Sequence, residues 1–253
     1  MRHVYFSALM FTALLTSVIQ GATAEIRVLS PPLVEAALEE LASAYTKETG
    51  TTVTLKSDVM GRIMNTIQTD TPAADVILLP VNLMDSLEKN DGVKPGTRVA
   101  LARVEIGLAV RAGAPHPDIS TVGKLRPVLL GARAVLHTQP GPPRNSMEAG
   151  IIDLLLKRPE FVGVNAVPVA NGSGVTALAR GDGDMAMQVI PAILTGKGIE
   201  SAGPLPAELG AHIDTATAVS ARSANPADAL AFIRYITRPE ATAVWKTKGV
   251  DRF

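Results

Sequence analysis

The chain contains no cysteine in its 253 residues. Disulfide stapling is excluded, a zinc centre loses its commonest ligand, and stability has to come from an ordinary apolar core. The four histidines, His3, His116, His137 and His212, show no metal-ligand spacing, so neither a metal nor a cofactor is expected. Charge of one sign is lacking too. The 24 basic residues balance 24 acidic ones, with no basic face and no interleaving of basic and aromatic residues. Nucleic acid is therefore not an expected partner. There is no internal repeat and no G-x-S-x-G context for a hydrolase. Gly172-Ser173-Gly174 is too short for a nucleotide loop and reads as a turn.

Long apolar runs are absent beyond the start. Arg2 opens the chain, residues 4–19 are apolar, and Ala22-Thr23-Ala24 supplies small residues. That order reads as a secretory leader, cut after about Ala24, and it implies export to the periplasm. Ser7, Thr12, Thr16 and Ser17 interrupt the run, which falls short of the roughly 20 clean apolar residues of a spanning helix. About 229 residues remain, enough for one large domain or two small ones. With Arg2 gone, the formal charge is about −1. A monomer is expected.

The organising stretch is residues 53–80. Val53-Thr54-Leu55 is strand-like, Ser57-Asp58 breaks it, and Met60, Ile63 and Ile67 recur at helical spacing past Gly61. Asp75-Val76-Ile77-Leu78-Leu79-Pro80 is too short for a helix and fits a strand buried on both faces. A strand-loop-helix-strand unit puts a helix start, with its unpaired N–H groups, where an anion could sit. The same residues also suit a plain crossover unit with Asp58 as the helix cap.

Around it, residues 25–29 read as a strand and Ser30-Pro31-Pro32 as a helix start capped by Ser30. Val34, Leu38, Leu41 and Tyr45 mark that helix, and Gly50 stops it. Further strands are expected at 104–110, 132–137, 164–170, 185–189 and 213–220. Helices are expected near 83–92, at 121–130, after a cap at Asn145 or Ser146, at 175–180, at 226–236 behind Asn225, and at 239–248. Residues 199–209 read as irregular. Alternating strands and helices predict an α/β fold with mostly parallel sheets flanked by helices.

In this order the pieces resemble the type II periplasmic solute-binding proteins, specifically the molybdate-binding branch of ABC transporter components. The resemblance is carried by Ala44-Tyr45-Thr46-Lys47-Glu48-Thr49-Gly50, the Gly61 loop, and Ala74-Asp75-Val76 with Met84-Asp85. It continues in Gly181-Asp182-Gly183-Asp184 and in Tyr235-Ile236-Thr237-Arg238-Pro239-Glu240-Ala241. It implies two lobes, residues 25–104 plus 204–253 and residues 105–203, closing on a small anion between them. It also implies an ABC permease at the inner membrane as partner. The branch's oxyanion-binding hydroxyls do not carry over, because Leu33, Met60 and Val189 stand at their positions. A dianion stripped of water and short of donors loses several kcal/mol. An organic carboxylate is therefore the expected ligand, with molybdate or tungstate as a lesser alternative.

The candidate grips are Ser30, Ser57, Asp58, Gly61 and Arg62 around the first loop, with Pro80 at the end of its strand. In the second lobe they are Arg144, Asn145, Ser146, Ser173, Gly174 and Gln188. Arg144 leads them, since a guanidinium in a Pro-Gly loop at a helix start suits a carboxylate. The departed pattern is also similar to periplasmic aconitate isomerase. On that reading His137 or Asp58 is the base, although local hydrogen bonding and helix capping account for them equally well.

Overall fold

The computed structural model describes residues 25–69, 72–142 and 146–253. The expected leader, and Arg144 and Asn145, lie outside the described residues. The first half of the chain runs β1 (Glu25–Ser30), α1 (Glu35–Thr49), β2 (Thr52–Ser57), α2 (Met60–Thr69), β3 (Val76–Pro80) and α3 (Val81–Lys89). Leu38, Leu41 and Tyr45 turn the inner face of α1 to the core, and Gly50 ends the helix in the left-handed region at φ 75°. All five residues of β3 are buried. Val76 and Leu78 join one apolar cluster while Ile77 and Leu79 join another, so the period of two delivers alternate residues to helices on opposite faces.

A long strand, β4 (Val99–Arg111), leads into the second half. There follow α4 (Val122–Gly131), β5 (Val135–Thr138), α5 (Met147–Leu156), β6 (Ala166–Val169), α6 (Gly174–Arg180), β7 (Met185–Val189) and α7 (Ile190–Leu194). β8 (Ile199–Pro204) and β9 (His212–Val219) return the chain to the first half, which α8 (Pro226–Thr237), α9 (Thr242–Thr247) and β10 (Asp251–Arg252) complete.

The strand order is β2-β1-β3-β9-β4-β7-β5-β6, with β8 and β10 added on β4. β1 is parallel to β2 and β3, and β5 is parallel to β6 and β7. The centre is antiparallel. β4 pairs with β9 up to Glu105, and from Ile106 onward with β7. β3 also meets β9 antiparallel. The sheet is thus mixed: the flanks are parallel as crossover units require, and the returning strand β9 reverses direction at the centre.

Several local expectations change. Ser30 is the last residue of β1 and caps nothing; the 3-10 turn Pro32–Val34 that precedes α1 has Pro31 at its cap without a side-chain bond. Ser57 belongs to β2, paired with Ser30, instead of the loop. Residues 199–204, expected to be irregular, form β8 on the outer half of β4, with a bulge between Leu108 and Ala109. Asn225 occupies the cap position of α8 but its side chain makes no cap bond. The final expected helix divides into the 3-10 turn Pro239–Ala241 and α9. Among the described residues no helix is long and apolar enough to cross a membrane.

Candidate functional site

Parallel strands end where their helices begin, and here several such ends share one cleft of about 850 Å³. One wall is built by the start of α1 (Pro32, Leu33, Glu35, Ala36 and Glu39) and the start of α2 (Val59, Met60 and Arg62). The other is built by Thr138 at the end of β5, by Ser146, Met147 and Glu148 at the start of α5, and by Ser173. Gln188 and Val189 at the end of β7, with Pro191, Ala192 and Thr195, complete it. Helix starts leave N–H groups unpaired and carry a partial positive charge, so the setting favours acceptor atoms on a ligand.

Local bonding arms the second wall with donors. Ser146 Oγ accepts from Ala149 N at 3.3 Å and caps α5. Ser173 Oγ accepts from Thr176 N at 3.3 Å within the capping box of α6. The Ser146 hydroxyl thus spends acceptor capacity inward and keeps its proton to donate, whereas the Ser173 hydroxyl is also within 3.4 Å of Thr176 Oγ1, whose own proton goes to Ser173 O. The apolar trio Leu33, Met60 and Val189 lines the same cleft. Charge is arranged less simply. Among the described lining residues, Glu35, Glu39 and Glu148 face one guanidinium, Arg62. Arg62 Nε in turn donates to Asp58 Oδ1 at 2.7 Å.

Of the expected site residues, the cleft gathers Arg62, Ser146, Ser173 and Gln188. Ser30, Ser57, Asp58, Gly61, Pro80 and Gly174 do not line it. Ser30 and Ser57 end neighbouring strands, and Pro80 closes β3 at the cap of α3. Asp58 is not the cap of α2. Its Oδ1 accepts from Val59 N as well as from Arg62, and the Arg62 bond, ahead of the other influences, holds its carboxyl below the usual range. A carboxylate kept ionised and paired is a poor proton acceptor. Thr138 and the three glutamates were missed as cleft residues. The parity of β5 could have found Thr138, because successive strand residues face opposite sides.

That parity takes His137 away from the cleft. It lies in a separate hollow of about 480 Å³ with Gln139, Asp153 and Lys157, buried, its Nδ1 3.1 Å from Thr138 O. Burial pushes its pKa down, partly offset by the Thr138 carbonyl and Asp153. The folded protein therefore takes up the imidazole proton less readily than the unfolded chain, whose histidine is protonated below about pH 6.5. Below that pH the unfolded state binds more protons, so stability falls as the solution is acidified. Urea midpoints at pH 7.5 and 5.5 should differ more in the parent than in His137→Gln. Equal acid losses in the two proteins would refute this.

Among the described residues no group of three histidine or acidic side chains could hold a metal ion. A family model for bacterial extracellular solute-binding proteins matches residues 26–251. The chain belongs to that family. The solute-binding protein is 25% identical over 230 residues to an aconitate isomerase from a Pseudomonas species, covering 89% of this chain and 87% of the relative. Its fold matches the substrate-binding domain of a putative molybdenum ABC transporter from Clostridium difficile, with a TM-score of 0.76 at 13% identity over 91% of this chain and 99% of that one. The periplasmic molybdate-binding protein of Azotobacter vinelandii superposes with a TM-score of 0.68 at 19% identity, over 89% and 98% of the two chains. At such identities the shared property is the fold.

Proposed function

We propose that this solute-binding protein is a periplasmic receptor that captures a small organic carboxylate for an ABC importer. The lobes are residues 25–104 plus 204–253 and residues 105–203, closing about the segment where β4 exchanges its strand partners between Glu105 and Ile106. The observation that carries the choice of ligand is the cleft wall itself. Helix starts and the hydroxyl of Ser146 supply donors, while Leu33, Met60 and Val189 supply an apolar surface in the same cleft. A tetrahedral dianion needs donors all round, and three apolar side chains in its shell leave oxygens unsatisfied at a cost of about 1–3 kcal/mol each or more. A carboxylate on a carbon body uses both kinds of wall. The excess of glutamates over arginine in the described lining favours a ligand of low negative charge.

A thermal-shift screen of malate, succinate, citrate, the aconitates, molybdate and tungstate tests this reading. A carboxylate at 100 times its Kd should add about 2.7 kcal/mol to stability. Molybdate should add little, and sub-micromolar molybdate affinity by calorimetry would overturn the proposal.

The similarity to aconitate isomerase favours a second reading, a cleft-based isomerase of an unsaturated carboxylate. With His137 outside the cleft and Asp58 tied to Arg62, the candidates for the base among the described lining residues are Glu35, Glu39 and Glu148. Interconversion of cis- and trans-aconitate, followed by chromatography, separates enzyme from receptor.

A further inference from the structure

The β5–β7 ladder stops at Leu136 and Ala186, and beyond it the two strand ends are joined by side chains. Gln188 and Thr138 are both more than nine-tenths buried, and both line the cleft. Gln188 Oε1 accepts from Val189 N at 2.9 Å, which settles the orientation of its amide, since two N–H groups cannot face each other. Nε2 therefore donates to Thr138 Oγ1, at 3.2 Å. The threonine oxygen is then the acceptor, and its own proton has no acceptor among the described residues. The second N–H of Gln188 is likewise unspent. Two buried donors on neighbouring side chains thus border the cleft with no partner among the described residues.

We infer that Thr138 and Gln188 form a locked pair of neutral donors that grips two oxygens of one anionic group of the solute. On the reading above, on which this inference rests, that group is a carboxylate. A buried donor left unmade is costly, and a ligand oxygen supplied from the cleft removes the cost. The lock matters for selectivity. Gln188 cannot turn its amide over to accept, because the Val189 N–H holds its oxygen, and the Thr138 oxygen already spends one of its two lone pairs on Nε2. At the Gln188 N–H the pair therefore disfavours a group that can only donate, such as an ammonium. Being neutral, it selects by geometry rather than by charge.

The test uses the full mature protein and the variants Thr138→Val, Thr138→Ser and Gln188→Glu. Each is screened against the same carboxylates and molybdate, with Kd by calorimetry for whichever compound stabilises the parent most. The Gln188 side-chain amide is followed by nitrogen-15 NMR. Thr138→Val should weaken binding about tenfold or more, Thr138→Ser should restore most of it, and Gln188→Glu should weaken it further by adding charge. The Gln188 amide protons should shift on titration. A Thr138→Val protein that melts lower yet binds with the parent's affinity would show that the pair only ties two strands, and would overturn the inference while sparing the carboxylate reading. If molybdate alone binds and Thr138→Val weakens it, the donor pair stands and the carboxylate reading falls. If no compound stabilises the parent, both fall.

Discussion

Trp245→Ala should lower the free energy of unfolding by about 3–5 kcal/mol, the range for truncating a large buried aromatic side chain. The indole is fully buried in the main apolar cluster, among Phe232, Ile233, Ile236 and Val250. Its Nε1 donates to Ile236 O at 2.8 Å, a carbonyl in the last turn of α8 that has no helical partner to use. Alanine would leave both a cavity and an unpaired carbonyl. Trp245→Phe keeps most of the packing and removes the bond, so about 1–2 kcal/mol should be lost. Urea denaturation of the three proteins checks both values. A midpoint for Trp245→Ala that corresponds to less than about 1 kcal/mol would mean that the core closes over the gap.

The second large effect concerns Gly174. A Cβ there would lie 2.9 Å from His137 Cα, 2.9 Å from Leu136 O and 3.1 Å from His137 N. All three are backbone atoms of β5, so no side chain can rotate out of the way. Gly174→Val should cost about 3 kcal/mol, the upper part of the usual range for overpacking. The damage would reach the cleft, because α6 carries Ser173 at its cap and β5 carries Thr138. Solute affinity should fall together with stability. Gly61 is the contrasting control. It sits in the first turn of α2 with nothing within 4 Å of a Cβ, so Gly61→Ala should be neutral or stabilise by up to about 1 kcal/mol. Equal melting temperatures for Gly174→Val and the parent would contradict the close approach.

The two glycines mark how far local reading reaches. Gly61 and Gly174 look alike in a sequence, each a small residue near a helix start and each named as a ligand contact. Neither lines the cleft. One is replaceable and the other lets a helix lie on a strand, and only the distance between α6 and β5 separates them. Elements with strong periodicity were legible. α1 announced itself through Leu38, Leu41 and Tyr45, and β3 through an unbroken apolar run that proved to serve two helical layers. β8 was not legible, because Ser201, Gly203 and Pro204 carry no strand pattern, and its pairing is imposed by the outer half of β4. α7 is five residues long and leaves no periodicity to read.

For the site the division has the same cause. The sequence alone determined that the chain alternates strands and helices and has no thiol. It also holds the apolar residues Leu33, Met60 and Val189, which the resemblance singles out. Tertiary structure alone decided that those three share a cleft with Ser146, Ser173, Thr138 and Gln188, and that His137 does not. It also decided that Arg62 is already engaged by Asp58 and that the amide of Gln188 is held in one orientation. Local propensity follows from neighbours three or four residues away along the chain. The cleft is assembled from strand ends and helix starts as far apart as Leu33 and Gln188, and which face of each strand turns inward is set by the packing of the whole sheet.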